Sequence, residues 1–242
     1  MLAIFLEKPM SIKSKMFIFF MLVFAGCAQA DLPTNWDGLV EVKPKRMEVA
    51  YLLPGADFRP YTKVIIDPSV VAFQKNWLRN VNTSQPIGAL NRRISTSDAQ
   101  KILQAAQQNF DQVFAETLTK KGFIVVSEPG PDVLHLTPAV ANLYINAPDV
   151  DGPTMTRTYV MEAGEGTLVL EARDSETNTI LGRVLDQRET RNSGGMQFSN
   201  QATNVNDFRA LVNTWATIFA KGLDELKANS PVPTDLKPKQ KM

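Results

Sequence analysis

The sequence predicts an α/β fold of the α+β kind: a single mixed, largely antiparallel sheet with two main amphipathic helices packed on it. Three observations carry that expectation. Ile102, Leu103, Ala106, Phe110, Val113, Phe114 and Leu118 recur at helical spacing. Phe208, Leu211, Val212, Trp215, Ile218, Phe219, Leu223 and Leu226 draw a second apolar stripe near the other end. Between the two, residues 165–173 (EGTLVLEAR) and 179–188 (TILGRVLDQR) flank Asp174-Ser175-Glu176-Thr177-Asn178, the pattern of two strands joined by a five-residue hairpin loop.

Taken in order, residues 31–60 are rich in turn formers and carry Pro33, Pro44, Pro54 and Pro60, which predicts a tether and extended lead-in with one short strand at 48–53. Residues 61–73 (YTKVIIDPSVVAF) are β-branched and apolar, and Asp67-Pro68 divides them into a strand, a kink and a continuation. The polar interval 74–93 reads as a loop; Trp77 within it is read as core before ligand platform, with exposure in the loop as the alternative that makes it a candidate partner surface. Ser97-Asp98-Ala99-Gln100 fits a capping box and starts the first helix, while Lys120-Lys121-Gly122 places cations and a glycine stop at its end. FIVVS at 123–127 predicts a short buried strand. After the turn Glu128-Pro129-Gly130-Pro131, residues 132–145 read as a longer strand in which Pro138 marks a bulge or an edge. Residues 146–154 form a loop and 156–161 a weak strand ahead of the hairpin. The polar stretch 191–206 reads as another loop, and 229–242, with three prolines and three lysines in SPVPTDLKPKQKM, as a disordered basic tail. No internal repeat is present.

Composition narrows the function. At 242 residues, 44% hydrophobic and 21% charged, the chain supports one well-buried core. A net charge of +1 supplies no concentrated basic face, so no nucleic acid partner is expected. One cysteine cannot close an internal disulfide and one histidine cannot build a histidine-rich metal centre, so neither a metal nor another cofactor is expected.

The start of the chain reads as an export leader. Glu7 and Pro9 break the first apolar run, whereas from Met10 the segment SIKSK supplies two lysines and 16–25 (MFIFFMLVFA) an uninterrupted apolar core, which makes Met10 the better start. That core is shorter than the about 20 residues a membrane-spanning helix needs. Two cleavages compete. Ala28-Gln29-Ala30 would release a soluble periplasmic ligand-binding protein beginning at Asp31. Phe24-Ala25-Gly26-Cys27 instead resembles a bacterial lipobox, cut between Gly26 and Cys27 so that the thiol carries lipid, palmitate among its acyl chains. Phe24 departs from the usual leucine but keeps the apolar character. The lipobox is the preferred reading because it accounts for the chain's only cysteine. The domain plan is then a signal peptide at 1–26, a lipidated N-terminus and tether at 27–60, an α/β domain at 61–228 and the tail.

Candidate chemistry is sparse. His135 could act as a general base in a hydrolase whose loops also bring in Asp67 and Asp174, yet no nucleophile motif accompanies it, and a structural or surface histidine is preferred. Asp186, like Asp67 and Asp174, sits at a strand end or turn, where aspartate commonly stabilises the backbone. Gly164-Glu165-Gly166 and Ser193-Gly194-Gly195 lack the lysine and helix start of a phosphate cradle. Trp77, Arg191, Met196 and Phe198 are the candidate partner surface, because the two polar intervals that hold them read as loops.

The segments YTKVIIDP with Trp77, GFIVVSEPGPDVLHLTPAVANLYINAPD, and GTLVLEARDSETNTILGRVLDQR followed by the Trp215 helix resemble, in order and spacing, a family of Gram-negative envelope lipoproteins known as domain of unknown function 3313. The likeness runs from Tyr61 to Leu226. It implies a lipid anchor at Cys27 and carries over no catalytic residue. With Ala28 rather than aspartate after the cysteine, it also implies sorting to the periplasmic face of the outer membrane. More coarsely, the element order resembles small envelope domains that serve as accessory lipoproteins for cell-wall synthases, secretion channels or transporters. The expected role is therefore non-enzymatic: a membrane-tethered accessory or binding module with an envelope protein partner.

Overall fold

The two helical stripes become long helices that bury their apolar residues against one face of a sheet. The computed structural model describes residues 32–83, 93–145, 158–162, 164–189, 192–199 and 201–242, with the backbone alone for 158–162, 192–199 and 201–204. A compact unit spans Thr34–Met242. Its first half contains β1 (Asn35–Trp36), β2 (Leu39–Lys43), β3 (Val49–Leu52), β4 (Lys63–Ile66), β5 (Val70–Phe73), α1 (Trp77–Thr83), α2 (Thr96–Lys120) and β6 (Ile124–Val125). Then come β7 (Val133–Ile145), β8 (Thr158–Glu162), β9 (Gly164–Asp174), β10 (Ile180–Glu189), β11 (Asn192–Ser199), α3 (Gln201–Ala228) and β12 (Gln240–Lys241).

Among the described residues ten strands make one mixed sheet in the order β1-β2-β3-β10-β9-β7-β4-β6, with β12 beside β2 and β5 beside β7; β8 and β11 pair separately. The hairpin forms as its pattern predicts, β9 and β10 pairing antiparallel around Asp174–Asn178. β9 also pairs antiparallel with β7. The α+β fold expected from the sequence is the fold observed.

Alternation sends Leu134, Leu136, Leu168 and Leu170 to one face, where they join Phe110, Phe114, Val212 and Trp215 of α2 and α3 in the main core. Phe110 stacks on Phe114 with centroids 5.1 Å apart, and Phe114 meets Phe219 across the helix pair at 6.3 Å. Each such side chain contributes about 1.5–3 kcal/mol by leaving water. The α2 cap differs from the expected one: Ser95, two residues earlier, accepts from the Asp98 amide while Asp98 accepts from the Ser95 amide, both at 3.1 Å. Aspartate thus does what was assigned to Gln100. Gly122, at φ 95°, ends the helix in the left-handed region as the sequence implies.

Five expectations are corrected. Residues 35–52 are strands of the sheet, with Leu39 and Tyr51 fully buried, so the domain begins at Thr34 and the tether cannot extend to 60. Trp77 is 1% exposed and serves no partner surface: it opens α1, a helix inside the interval read as a loop, stacks on Phe73 at 3.7 Å and donates to the Ile145 carbonyl at 3.1 Å. β6 is exposed, with Ile124 at 56%, because it lies at the sheet's end and, among the described residues, pairs only with β4. Part of the expected 191–206 loop is strand β11 and the start of α3. The 229–242 segment is packed: Val232 and Leu236 are in the main core, Val232 exchanges backbone bonds with Gly55 and Ala56, and β12 runs parallel to β2.

Pro138 lies in a central strand and not at an edge, with β9 on one side and β4 and β5 on the other. β4 ends at Ile66 opposite Leu136 and β5 resumes at Val70 opposite Ala139. The Leu136 carbonyl accepts from Asp67 on that side, so by alternation the Pro138 nitrogen faces the interval where the neighbour is broken. Two prolines, Pro68 and Pro138, thereby share one interruption.

Candidate functional site

The residues with the most reactive side chains do not assemble into one site. Asp67, in the break between β4 and β5, accepts from His135 Nε2 at 2.9 Å through one oxygen and from Thr137 Oγ1 at 3.0 Å through the other. A carboxylate can only accept, so the imidazole carries its proton on Nε2. His135 and Thr137 project from one face of β7, and Asp67 ties them to the strand break. Asp174 is paired with Leu134 in register, one residue out of phase with His135, and points to the opposite face. The expected convergence of Asp67, His135 and Asp174 therefore does not occur.

Asp174 instead organises the hairpin loop, accepting from the Thr177 amide at 2.7 Å, the Thr177 hydroxyl at 2.8 Å and the buried Tyr61 hydroxyl at 2.8 Å. Burial alone would raise its pKa, but the Thr177 bonds, then those from Tyr61 and the Glu176 amide, outweigh it and hold the carboxyl below the ordinary aspartate range. Burial and the same carboxylate raise the Tyr61 phenol. Asp174→Ala is expected to lower stability by about 1–3 kcal/mol at neutral pH. Because the folded pKa is the lower one, that difference persists above the unfolded value of about 3.9 and disappears as pH falls through the folded value. Urea midpoints of both proteins from pH 7 to pH 2 measure it, and a difference unchanged at pH 2 would refute the account.

The same face as His135 carries a charged row across β9 and β10. Arg183, only 4% exposed, donates to Glu171 through Nε at 3.1 Å and Nη2 at 2.6 Å, and Nη2 also reaches Asp37 at 3.0 Å. Arg173 takes the other Glu171 oxygen at 2.6 Å, and the Arg183 guanidinium lies 3.9 Å over the Trp36 ring. Two guanidinium groups and two carboxylates neutralise one another, so the row clamps β1, β9 and β10 together and leaves little free charge for a ligand. Sequence reasoning passed over this pair; its one signal is opposite charge at mirrored positions of the predicted hairpin.

One concave feature is on the helical face. A cavity of about 100 Å³ lies between the sheet and the C-terminal half of α3. Its floor includes Leu134, Leu170, Ala172 and Gly182, its wall Phe58, and its roof Ile218, Phe219, Gly222, Leu223 and Leu226. A water needs roughly 10–15 Å³ by the same kind of measure, so the space is several waters large and bounded mainly by carbon. Charge appears at the mouth, where Lys45 and Arg46 from the β2–β3 connection both face Glu225 of α3 at 3.4 Å. Of the residues forming this cavity, sequence analysis had placed most in core elements, and Lys45 and Arg46 in a tether.

The other predicted positions are scattered. Trp77 serves the small core of α1, with Val81, Ile94 and Ala99. Met196 and Phe198 fall on β11, described by its backbone alone, and Arg191 lies outside the described residues, as do Gly26, Cys27, Ala30 and Asp31. Among the described residues no helix is long and apolar enough to cross a membrane, and no group of three acidic, histidine or cysteine side chains could hold a metal.

A mixed sheet with two helices on one face and an apolar cavity beneath the second helix defines an α+β domain. The chain belongs to the DUF3313 family, described as a protein of unknown function, whose model matches residues 29–219. Similar solved structures include the PelC dodecamer from Paraburkholderia phytofirmans, at 12% identity and TM-score 0.34 over 74% of this chain and 96% of that one. A neuraminyllactose-binding hemagglutinin homologue from Helicobacter pylori matches at 11% identity and TM-score 0.34 over 73% of this chain and 92% of that one. A DUF330 protein from Xanthomonas campestris matches at 9% identity and TM-score 0.34, covering 73% and 88% of the two chains. Comparison with curated proteins gives no match.

Proposed function

We propose that this protein is a non-catalytic binding module of the cell envelope, tethered by lipid at Cys27 to the periplasmic face of the outer membrane and acting beside an envelope protein partner. The observation that carries the binding role is the cavity under α3: its interior is apolar and its ionisable groups stand at the mouth, a distribution suited to receiving a small apolar group and not to acid–base chemistry. The separation of His135 from Asp174 by the sheet supports the same reading over a hydrolase.

The tether rests on the leader and its Phe24-Ala25-Gly26-Cys27 sequence. Several acyl chains on one residue would make such an anchor stable, where one chain is reversible. Intact-mass and N-terminal analysis of protein taken from bacterial membranes is expected to find an acylated Cys27 as first residue, and Cys27→Ser to release the protein from the membrane fraction. An unmodified N-terminus at Asp31 in periplasmic fluid would overturn the tether and favour the soluble ligand binder.

A further inference from the structure

We infer that the sheet edge at β6 is where two copies of this chain meet, β6 pairing antiparallel with β6 of a second copy about a two-fold axis at Val125. The inference is independent of the cavity under α3 and adds a partner, the chain itself.

An edge strand presents a row of backbone donors and acceptors that another strand can fill. In β6 the Ile124 and Val126 amides turn toward β4 and donate to the Thr62 and Val64 carbonyls at 3.5 Å and 2.9 Å. By strand alternation the Val125 N–H and C=O point the other way, and among the described residues no strand lies on that side. Side chains mark the same place. Among the described residues the exposed large hydrophobics are Leu32, Ile124 and Val125, and the last two are neighbours on β6, at 56% and 42% exposure. Edges are ordinarily blunted by a charge or a proline. FIVVS at 123–127 contains neither, whereas β1, at the opposite end of the sheet, has Pro33 and Asp37 beside it.

A second copy fits this edge because the edge is complementary to itself. With the two-fold axis at Val125, each Val125 N–H donates to the Val125 carbonyl of the other copy, the reciprocal pair of an antiparallel ladder. Such an axis needs one residue that presents donor and acceptor together on the open side, and Val125 is that residue. The two Val125 side chains then lie opposite each other on one face, and Ile124 comes beside Val126 of the second copy on the other. Charge agrees with this direction. Lys120 and Lys121 precede β6 and Glu128 follows it, all three exposed. Antiparallel pairing brings the lysine end of each copy to the glutamate end of the other, whereas parallel pairing would set lysines against lysines. The contact is short, the size of a transient interface. Under the proposed tether the copies share one membrane surface, which raises their effective concentration.

The test uses the full secreted chain with Cys27→Ser, so that neither lipid nor a native thiol is present. Sedimentation velocity from dilute to millimolar protein should show a reversible monomer–dimer equilibrium. Val125→Pro removes the outward N–H and leaves the Ile124 and Val126 amides to β4, so it should weaken dimerisation about tenfold or more with little change in thermal midpoint. Val125→Cys gives a second reading that keeps the backbone intact. In the two-fold pair its Cα lies about 5.5 Å from that of the other copy, within disulfide range. Mild oxidation should therefore link Val125→Cys chains far faster than chains carrying Lys101→Cys, an exposed site on α2. Should Val125→Pro unfold the chain, the linkage rates alone decide. A chain that stays monomeric, with Val125→Cys no faster to link than Lys101→Cys, would overturn the self-pairing and leave the edge to a strand of another protein. A dimer of undiminished strength with Val125→Pro would place the interface elsewhere and overturn it equally. Neither result bears on the cavity under α3.

Discussion

Asp186→Ala is expected to lower the unfolding free energy by about 3–5 kcal/mol, because it leaves two buried donors without an acceptor at about 1–3 kcal/mol each. The carboxylate is 2% exposed and accepts three bonds from three parts of the chain: the Trp215 indole at 3.0 Å, the Glu48 amide at 2.9 Å and the Arg188 guanidinium. Trp215 is itself fully buried in α3, so its N–H has no water to turn to once the acceptor is gone. The Glu48 amide, just ahead of β3, loses its partner too. Arg188 is 32% exposed and can reach solvent, so the cost falls chiefly on the two orphaned donors. Urea unfolding followed by tryptophan fluorescence reads this directly. A loss below about 1 kcal/mol would mean that the pin between β10, β3 and α3 is replaceable by solvent or local shifts.

The second large effect is expected at the charged row, and its signature is non-additivity. Glu171→Leu alone should cost about 3–5 kcal/mol, because Arg183 remains buried with only the exposed Asp37 to face. Arg173, a quarter exposed, can turn outward and contributes less to that loss. Glu171→Leu combined with Arg183→Met removes both charges and replaces them with apolar atoms next to Tyr51, Val169 and Leu185, the small cluster on that face. The double variant is expected within about 1–2 kcal/mol of the parent, with part of the residual from the lost stacking of the guanidinium on Trp36. Equal and additive losses in the double-mutant cycle would show that the pair is not coupled and that each residue acts through packing alone.

The helices and the hairpin were legible because their signals are local. Phe110, Val113, Phe114 and Leu118 lie within one helix face regardless of what covers them, and Leu168 and Leu170 alternate in a strand regardless of its neighbours. Trp77 was harder to place for the complementary reason. It sits among polar residues, and what buries it is Phe73 beside it and the carbonyl of Ile145, 68 positions away. FIVVS has the composition of a buried strand, but burial depends on place in the sheet, and β6 is at an end. Residues 229–242 have a tail's composition, yet Val232 and Leu236 find partners in the main core.

The candidate site was less legible still. Its floor comes from strands β7, β9 and β10, its roof from α3 and its mouth from the β2–β3 connection. No spacing in the chain links Lys45 to Glu225; they meet because β3 lies beside β10 and α3 crosses that part of the sheet. A cavity is defined by side chains that fail to fill a volume, and Gly222, which helps to open it, looks in sequence like an ordinary weak point of a helix.

What the sequence by itself determined are the two amphipathic helices, the β9–β10 hairpin and the mixed sheet class. These follow from periods of two and about 3.6 residues and from turn chemistry, all read within a few neighbouring positions. The tertiary structure decided that residues 35–52 and 232–241 complete the sheet and core, that Asp174 and His135 face opposite ways, and that apolar space lies beneath α3. Those outcomes depend on which strands lie side by side, and strand order is set by the total burial of distant apolar faces rather than by any local pattern.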